Sequence, residues 1–401
     1  MNKSYSARPN RGGQRYNVSR AYTNKRRPKR SGTYIDPAKF INKATAPAEE
    51  VVYEPTHKFT DFAFSDALKR NIIAAGFDTP SAIQDQSIPI TLEGKDVIGL
   101  ANTGTGKTAA FVLPMLERIK DMKGQNTQVL IMAPTRELAT QIDDEFRKFA
   151  RGLHLYSVVC VGGMSIGNQI RALSRRPQVV IGTPGRLKDL VNRHVLKLKD
   201  VKILVLDEAD QMLDMGFIAD IKFLVNELPE KRQSLCFSAT MNPAIRELVN
   251  GMLTNPETVS VRTRETSEHV EQDVIRASSK EEKFNKLMEL LEQEDFDKVL
   301  IFGETKYGVQ RLADNLTKHG IKSGAIHGNK TQPQRQKTLN SFKRDEIRVL
   351  VATDVAARGL DIPNVSHVIN FDQPNNYQDY VHRIGRTGRA GKRGTALTFV
   401  S

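Results

Sequence analysis

The chain has 401 residues, with 60 Lys+Arg against 46 Asp+Glu and a formal net charge of +14. Apolar residues and glycine together make up about 46%, inside the globular range of roughly 45–50%, which excludes a wholly disordered chain. The mean hydropathy of −0.43 and the lack of any apolar run near ~18 residues exclude a membrane-spanning helix, and two cysteines are too few for a disulfide scaffold. At roughly 100–200 residues per domain the length predicts two or three domains. Cys160 and Cys236 lie in apolar runs and are expected to be reduced, buried thiols of an intracellular protein. Met1–Arg20 is polar with no apolar core, so no secretory leader is expected. A pI near 9.6 points to a polyanionic partner.

In chain order, residues 1–43 come first, with twelve basic residues against the single acid Asp36, so this stretch carries +11 of the total +14. Tyr5, Tyr16, Tyr22 and Tyr34 are interleaved with the arginines. With so few aliphatic residues the segment cannot offset its ordering entropy and reads as a disordered arm. Arg on phosphate and Tyr on bases would make it a nucleic-acid contact; a solubilising tail is the plainer alternative. The basic run Lys25–Arg30 also resembles a nuclear localisation signal.

From about His57, short apolar runs alternate with amphipathic stretches. Strands are predicted at 96–100, 128–133, 156–161, 178–182, 202–206 and 234–237, with helices between them, for example at 136–150 and 218–228. The runs are β-branched-rich and continuous, as in parallel strands covered on both faces. A second series is predicted at 274–277, 298–302, 324–326, 348–352, 367–371 and 395–400. The βαβα order argues for doubly wound α/β domains. The expected division is an arm over 1–50, a first domain over 57–255, a linker over 256–270 and a second domain over 271–401.

The loop Ala101-Asn102-Thr103-Gly104-Thr105-Gly106-Lys107-Thr108 follows a strand and opens a helix, the context of a phosphate-binding loop. Lys107 is placed to reach the β- and γ-phosphates and Thr108 to ligate Mg²⁺. Ala101 stands where the general pattern has its first glycine. The strand at 202–206 runs into Asp207-Glu208-Ala209-Asp210, acids at the end of a strand where open α/β sheets bind ligands. Asp207 is expected to position Mg²⁺ through water and Glu208 to take a proton from an attacking water. An acidic helix cap is the alternative for this run alone.

Taken together these residues resemble the DEAD-box ATP-dependent RNA helicase family, over about Phe59 to Val400. The resemblance implies two RecA-like doubly wound parallel-sheet domains in tandem behind a disordered basic arm. Gly76–Gln84 is similar to the family's adenine-recognition motif, with Phe59 as its upstream aromatic; a Gln can pair with the adenine N6/N7 edge and a Phe can stack on its face. ATP is thus implied rather than GTP, and Ala101 becomes the family's own habit. Asn102 departs from the Gln or Arg often found there. Pro134, Thr135, Arg136, Gly163, Thr183 and Arg186 fall in motifs similar to the first domain's RNA-backbone motifs; singly, each reads as a strand-to-helix turn.

Ser238-Ala239-Thr240 resembles the motif that couples hydrolysis to closure, and Asp210 and His382 are implied in the same coupling. Gln332 and Arg335 look like RNA contacts of the second domain, and Thr353 like a contact to RNA phosphate. Asp354 is implied at the nucleotide or the catalytic water. His382–Arg389 matches the last motif, with Arg386 and Arg389 as arginine fingers on the γ-phosphate. The implied activity is RNA-stimulated ATP hydrolysis with Mg²⁺, closing two domains over RNA and separating short duplexes. The implied partner is single-stranded or short duplex RNA with little sequence specificity, within ribonucleoprotein complexes, with no membrane. The alternative is an ATP-regulated RNA clamp or annealing chaperone acting through the arm. The location is expected to be cytoplasmic, or nuclear for a eukaryotic source.

Overall fold

The computed structural model describes residues 35–42, 53–102, 104–122, 126–261, 270–357, 362, 364–388 and 394–400. The arm at 1–34, the stretch 43–52, Thr103 and Arg389 lie outside the described residues. Two parallel sheets follow one another along the chain.

The first sheet contains β1 (Val97–Leu100), β2 (Val129–Met132), β3 (Ser157–Cys160), β4 (Val179–Gly182), β5 (Ile203–Leu206), β6 (Gln233–Ser238) and β7 (Glu257–Ser260), in the order β3-β4-β2-β5-β6-β1-β7. Every pairing is parallel. The two faces are separate cores, and alternate residues of one strand enter each. Val129 and Ile131 join one core, Leu130 and Met132 the other. This is why β2 is apolar at every position: a period-2 strand with helices on both sides has no solvent face.

The second sheet contains β8 (Val270–Arg276), β9 (Val299–Phe302), β10 (Ser323–Ile326), β11 (Val349–Ala352), β12 (His367–Asn370) and β13 (Gly394–Val400), in the order β10-β11-β9-β12-β13-β8. It too is parallel throughout and divides its apolar residues between two cores. Among the described residues no helix is long and apolar enough to cross a membrane.

Three details depart from the sequence reading. The expected linker at 256–270 overlaps β7, an edge strand with only Val259 buried, which is why it lacks an apolar signature. The second domain's first strand begins at Val270 rather than at 274, because Glu271 and Asp273 point outward on an edge strand. Residues 35–42, expected to be disordered, contain a 3-10 turn at Pro37–Phe40, and Phe40 is fully buried among second-domain side chains.

Candidate active site

The site lies where β1, β5 and β6 end. Their neighbouring order brings three loops of distant sequence side by side, at the carboxyl edge where open α/β sheets bind ligands. After β1, the loop turns into helix Lys107–Ile119 through Gly106, whose φ of +87° is left-handed. A side chain at Gly106 would collide with the Gln84 amide. Only glycine meets both conditions.

Gln84 belongs to helix Ala82–Leu92, entered through a capping box with Ser81. Its Nε2 donates to Gly106 O at 3.0 Å, its Oε1 accepts from Ser81 N at 2.9 Å, and Ser81 Oγ donates to Thr105 O at 2.7 Å. The predicted adenine-reading segment is therefore bonded to the phosphate loop's backbone. Phe59 does not line the cavity. It is buried behind Phe77, with ring centroids 5.9 Å apart, and Phe77 supplies the aromatic wall.

The cavity has a volume of about 350 Å³ and is lined by Phe77, Gln84, Gly104, Gly106, Lys107, Thr108, Asp207 and Glu208, with Leu138, Gln141, Asp144 and Glu145 on the helix after β2. Lys343 of the second domain completes it. Lys107 is buried, and among the described residues its Nζ has no hydrogen-bond partner. A buried ammonium without a partner is costly and calls for an anion. Burial pushes the Asp207 carboxyl up to about 7 against the opposing Lys107 ammonium. Glu208 caps helix Ala209–Asp214 with φ of +53°, a left-handed conformation that a glutamate rarely adopts. Such strain, held by the surrounding structure, concentrates at functional positions.

The acidic run is tied to the end of β6. Asp210 Oδ2 accepts from Ala239 N at 3.1 Å, Thr240 N at 3.0 Å and Thr240 Oγ1 at 3.3 Å. Ser238 Oγ donates to Thr240 O at 2.8 Å, and Ala101 N donates to Ser238 O at 3.0 Å. A continuous chain of bonds thus links the phosphate loop, the acids and the Ser238–Thr240 turn. Asn102 O accepts from Thr105 Oγ1 at 2.8 Å within the same loop.

The residues singled out for RNA form a second constellation beside it. Pro134 and Thr135 follow β2, and Thr135 caps the next helix by accepting from Leu138 N at 3.2 Å. Gly163, with φ of +72°, leaves room for Arg136, whose guanidinium a Cβ there would overlap. Thr183 begins helix Pro184–Asn192, and Arg186 Nη1 donates to Gln169 Oε1 at 3.0 Å. Burial lowers the Arg136 pKa, and the like charges of Arg335 and Arg186 lower it further. Gln332 and Arg335 cross to the first domain: Gln332 Nε2 donates to Glu137 Oε1 and Arg335 Nη2 pairs with Glu137 Oε2, each at 3.0 Å. Thr353 follows β11, and its backbone carbonyl accepts from Ala356 N and Ala357 N.

In the second domain, Asp354, His382 and Arg386 meet in a small cavity with Arg383. Arg386 lines this cavity rather than that of Lys107. Arg383 grips Asp354 with both forks, at 2.5 Å and 2.7 Å, and also donates to Asn370 Oδ1 and Asp372 O.

Four functional positions escaped the sequence reading. Glu137 and Arg383 lie inside motif runs, next to residues that the sequence itself marks. Asp85 follows Gln84 and accepts from Tyr53 Oη at 2.6 Å, Thr56 N at 2.8 Å and His57 N at 3.2 Å, fixing the segment upstream. Lys343 carries no local signal at all.

Known proteins resemble this chain over most of its length. The DEAD/DEAH box helicase family matches residues 81–248 and the helicase conserved C-terminal domain matches residues 282–391. The chain is 48% identical over 345 residues to the ATP-dependent RNA helicase CshA of Limosilactobacillus reuteri, covering 86% of this chain and 69% of that one. It is 48% identical over 344 residues to CshA of Listeria monocytogenes, covering 86% and 66%. The chain thus spans about two thirds of the length of these relatives. Saccharomyces cerevisiae Dbp5 bound to RNA and ADP BeF3 is similar in structure, with a TM-score of 0.75, 33% identity, and 85% and 89% of the two chains covered. Mss116p bound to ssRNA and AMP-PNP gives a TM-score of 0.75 at 31% identity, covering 84% and 72%.

Proposed function

The chain belongs to the DEAD-box ATP-dependent RNA helicase family, and from that premise we propose that it hydrolyses ATP when its two domains close over RNA, separating short duplexes locally. The observation that carries this reading is the buried Lys107 ammonium, without a partner among the described residues and beside the Asp207 and Glu208 carboxylates.

In this reading the backbone N–H groups of the loop and Lys107 hold the β- and γ-phosphates. Gln84 exchanges its bonds for the adenine edge, and Phe77, backed by Phe59, faces the base. Thr108 and Asp207 are the donors suited to Mg²⁺: the hydroxyl is neutral, and a cation favours the ionised form of a carboxyl that burial pushes up to about 7. When bound, Mg²⁺ screens the charge of the β- and γ-phosphates.

Glu208 orients the attacking water and receives its proton as the water oxygen bonds to the γ-phosphorus. The bond from that phosphorus to the β–γ bridging oxygen breaks, and ADP leaves. Arg386 and Arg389 come from the second domain to the γ-phosphate, where an inserted arginine contributes roughly 10³–10⁵ in rate. Asp354 is held ready by Arg383. Asp210 and Thr240 report the acids' position to the end of β6, and His382 does so in the second domain.

RNA phosphates are met by Arg136, Arg186, Thr135, Thr183 and Thr353, with Gly163 leaving room for the Arg136 guanidinium. Gln332 and Arg335 close the seam. Backbone contact gives little sequence specificity and strong salt dependence. The bacterial relatives support a cytoplasmic location. A clamp that works through its arm has no need of a strained general base, which favours the helicase reading over that alternative. Glu208→Gln tests it: ATP and RNA should still bind while phosphate release and duplex turnover collapse. Unchanged turnover would remove Glu208 from the chemistry.

A further inference from the structure

The segment 35–42 precedes the first domain in sequence yet packs on the second. Asp36 caps the turn Pro37–Phe40 by accepting from Ala38 N at 2.9 Å. The turn presents Phe40, which is 0% exposed and lies with its ring centroid 4.7 Å from that of Tyr380. Lys39 Nζ stands 5.9 Å from the centroid of the Tyr377 ring. Beyond the turn, Asn42 and Gln272 exchange both backbone hydrogen bonds, at 3.0 Å and 2.9 Å, in an antiparallel bridge. Gln272 lies on β8, the edge strand, and its Oε1 accepts from Tyr380 Oη at 2.9 Å. An open strand edge is a ready template for added backbone, and here the chain's own segment takes it.

We propose that residues 35–42 are an intramolecular latch: an aromatic-anchored peptide that docks on the β8 edge of the second domain and gives the two domains a second connection. The first connection, residues 262–269, enters the second domain at Val270, the start of β8. The latch meets β8 two residues later. Both connections therefore converge on one end of one strand and form a doubled hinge. From Asn42 to Tyr53 the chain can reach about 40 Å at ~3.6 Å per residue, so the latch can stay docked while the domains separate. It limits how far and in how many orientations they do so. A narrower range of open states lowers the entropy lost when the domains close over RNA. This last step rests on the helicase reading; the docking itself does not.

The test is amide hydrogen exchange on the whole chain, comparing the parent with Phe40→Ala and Phe40→Leu. Phe40→Ala should speed exchange at the Asn42 and Gln272 amides at least tenfold, with β9 and β12 unchanged and with Phe40→Leu intermediate. A synthetic peptide of residues 33–44 added to Phe40→Ala should restore Gln272 protection, and the same peptide with alanine at the anchor should not. Unprotected Asn42 and Gln272 amides in the parent chain would overturn the latch. Equal loss of protection at β9 and β12 would also overturn it, by making Phe40 an ordinary core residue. For the hinge, the RNA concentration that half-saturates ATP hydrolysis should rise several-fold in Phe40→Ala at unchanged maximal turnover. An unchanged half-saturation point, with docking lost by exchange, would overturn the hinge role while leaving the ATPase reading intact.

Discussion

Arg335 Nη2 lies 3.0 Å from Glu137 Oε2, and the two residues belong to different domains. Both are buried, and Gln332 holds the other carboxylate oxygen. Glu137 thus sits among Arg136, Arg186 and Arg335 as an acid in a basic seam. Its removal leaves like charges facing one another across the domains. A double-mutant cycle of Glu137→Gln and Arg335→Gln should give a coupling of about 1.5 kcal/mol or more in RNA-dependent closure. Binding of ATP alone should not change. Closure can be read by the change in distance between fluorophores on the two domains; additive effects would mean that the pair contributes nothing.

Gly163→Ala should weaken RNA binding without touching nucleotide affinity. The new methyl group overlaps the Arg136 guanidinium, and the alanine backbone must adopt a φ of +72°. The strain costs roughly 1 kcal/mol or more in stability. Displacement of Arg136 removes a phosphate contact, so the salt dependence of RNA binding should flatten by about one ion. Affinity measured across a salt series checks both.

Asp85 should anchor residues 53–57 throughout the physiological range. Burial would raise its carboxyl, but bonds from Tyr53, Thr56 and His57 outweigh that and hold it below the usual carboxylate range. A folded-state pKa below the unfolded one means stability present above the unfolded value, about 3.9, and lost as pH falls through the lower folded value. Between pH 5 and 8 the protection of the Thr56 and His57 amides should therefore show no step from this group. Asp85→Asn should expose both amides at pH 7. Protection that survives this change would assign the anchoring elsewhere.

Cys160 and Cys236 should be inert in the native protein. Burial pushes both thiols up to about 12, and neither has solvent access. At pH 8 the thiolate fraction is about one part in ten thousand, and the thiolate is the nucleophile. A thiol reagent at pH 8 should modify neither until the chain is unfolded, and then both.

Much of this was legible in the sequence, for reasons of period and order. β2, β5, β9 and β11 read clearly because a strand covered on both faces is apolar at every position. The Lys107 loop read clearly because its glycines, lysine and threonine are contiguous. β7 and the start of β8 did not, since an edge strand buries only alternate or single residues. Phe40 is hidden because its partners lie more than two hundred residues away, and one aromatic among several in a basic arm predicts nothing locally. The same holds at the seam. By pattern Gln332 and Arg335 read as RNA contacts, while their contact with Glu137 depends on how two separate domains meet. Phe77 in place of Phe59 on the cavity wall is a matter of which ring stands in front, which spacing cannot decide.

On the proposed reading, closing over RNA assembles a hydrolytic site that neither domain holds alone. This is tested most directly by the rate of phosphate release from ATP with matched RNA, matched DNA, or no nucleic acid. RNA should raise the rate at least tenfold over the unstimulated chain, with DNA leaving it near that baseline. Equal stimulation by DNA, or a rate indifferent to RNA, would mean that RNA does not assemble the site.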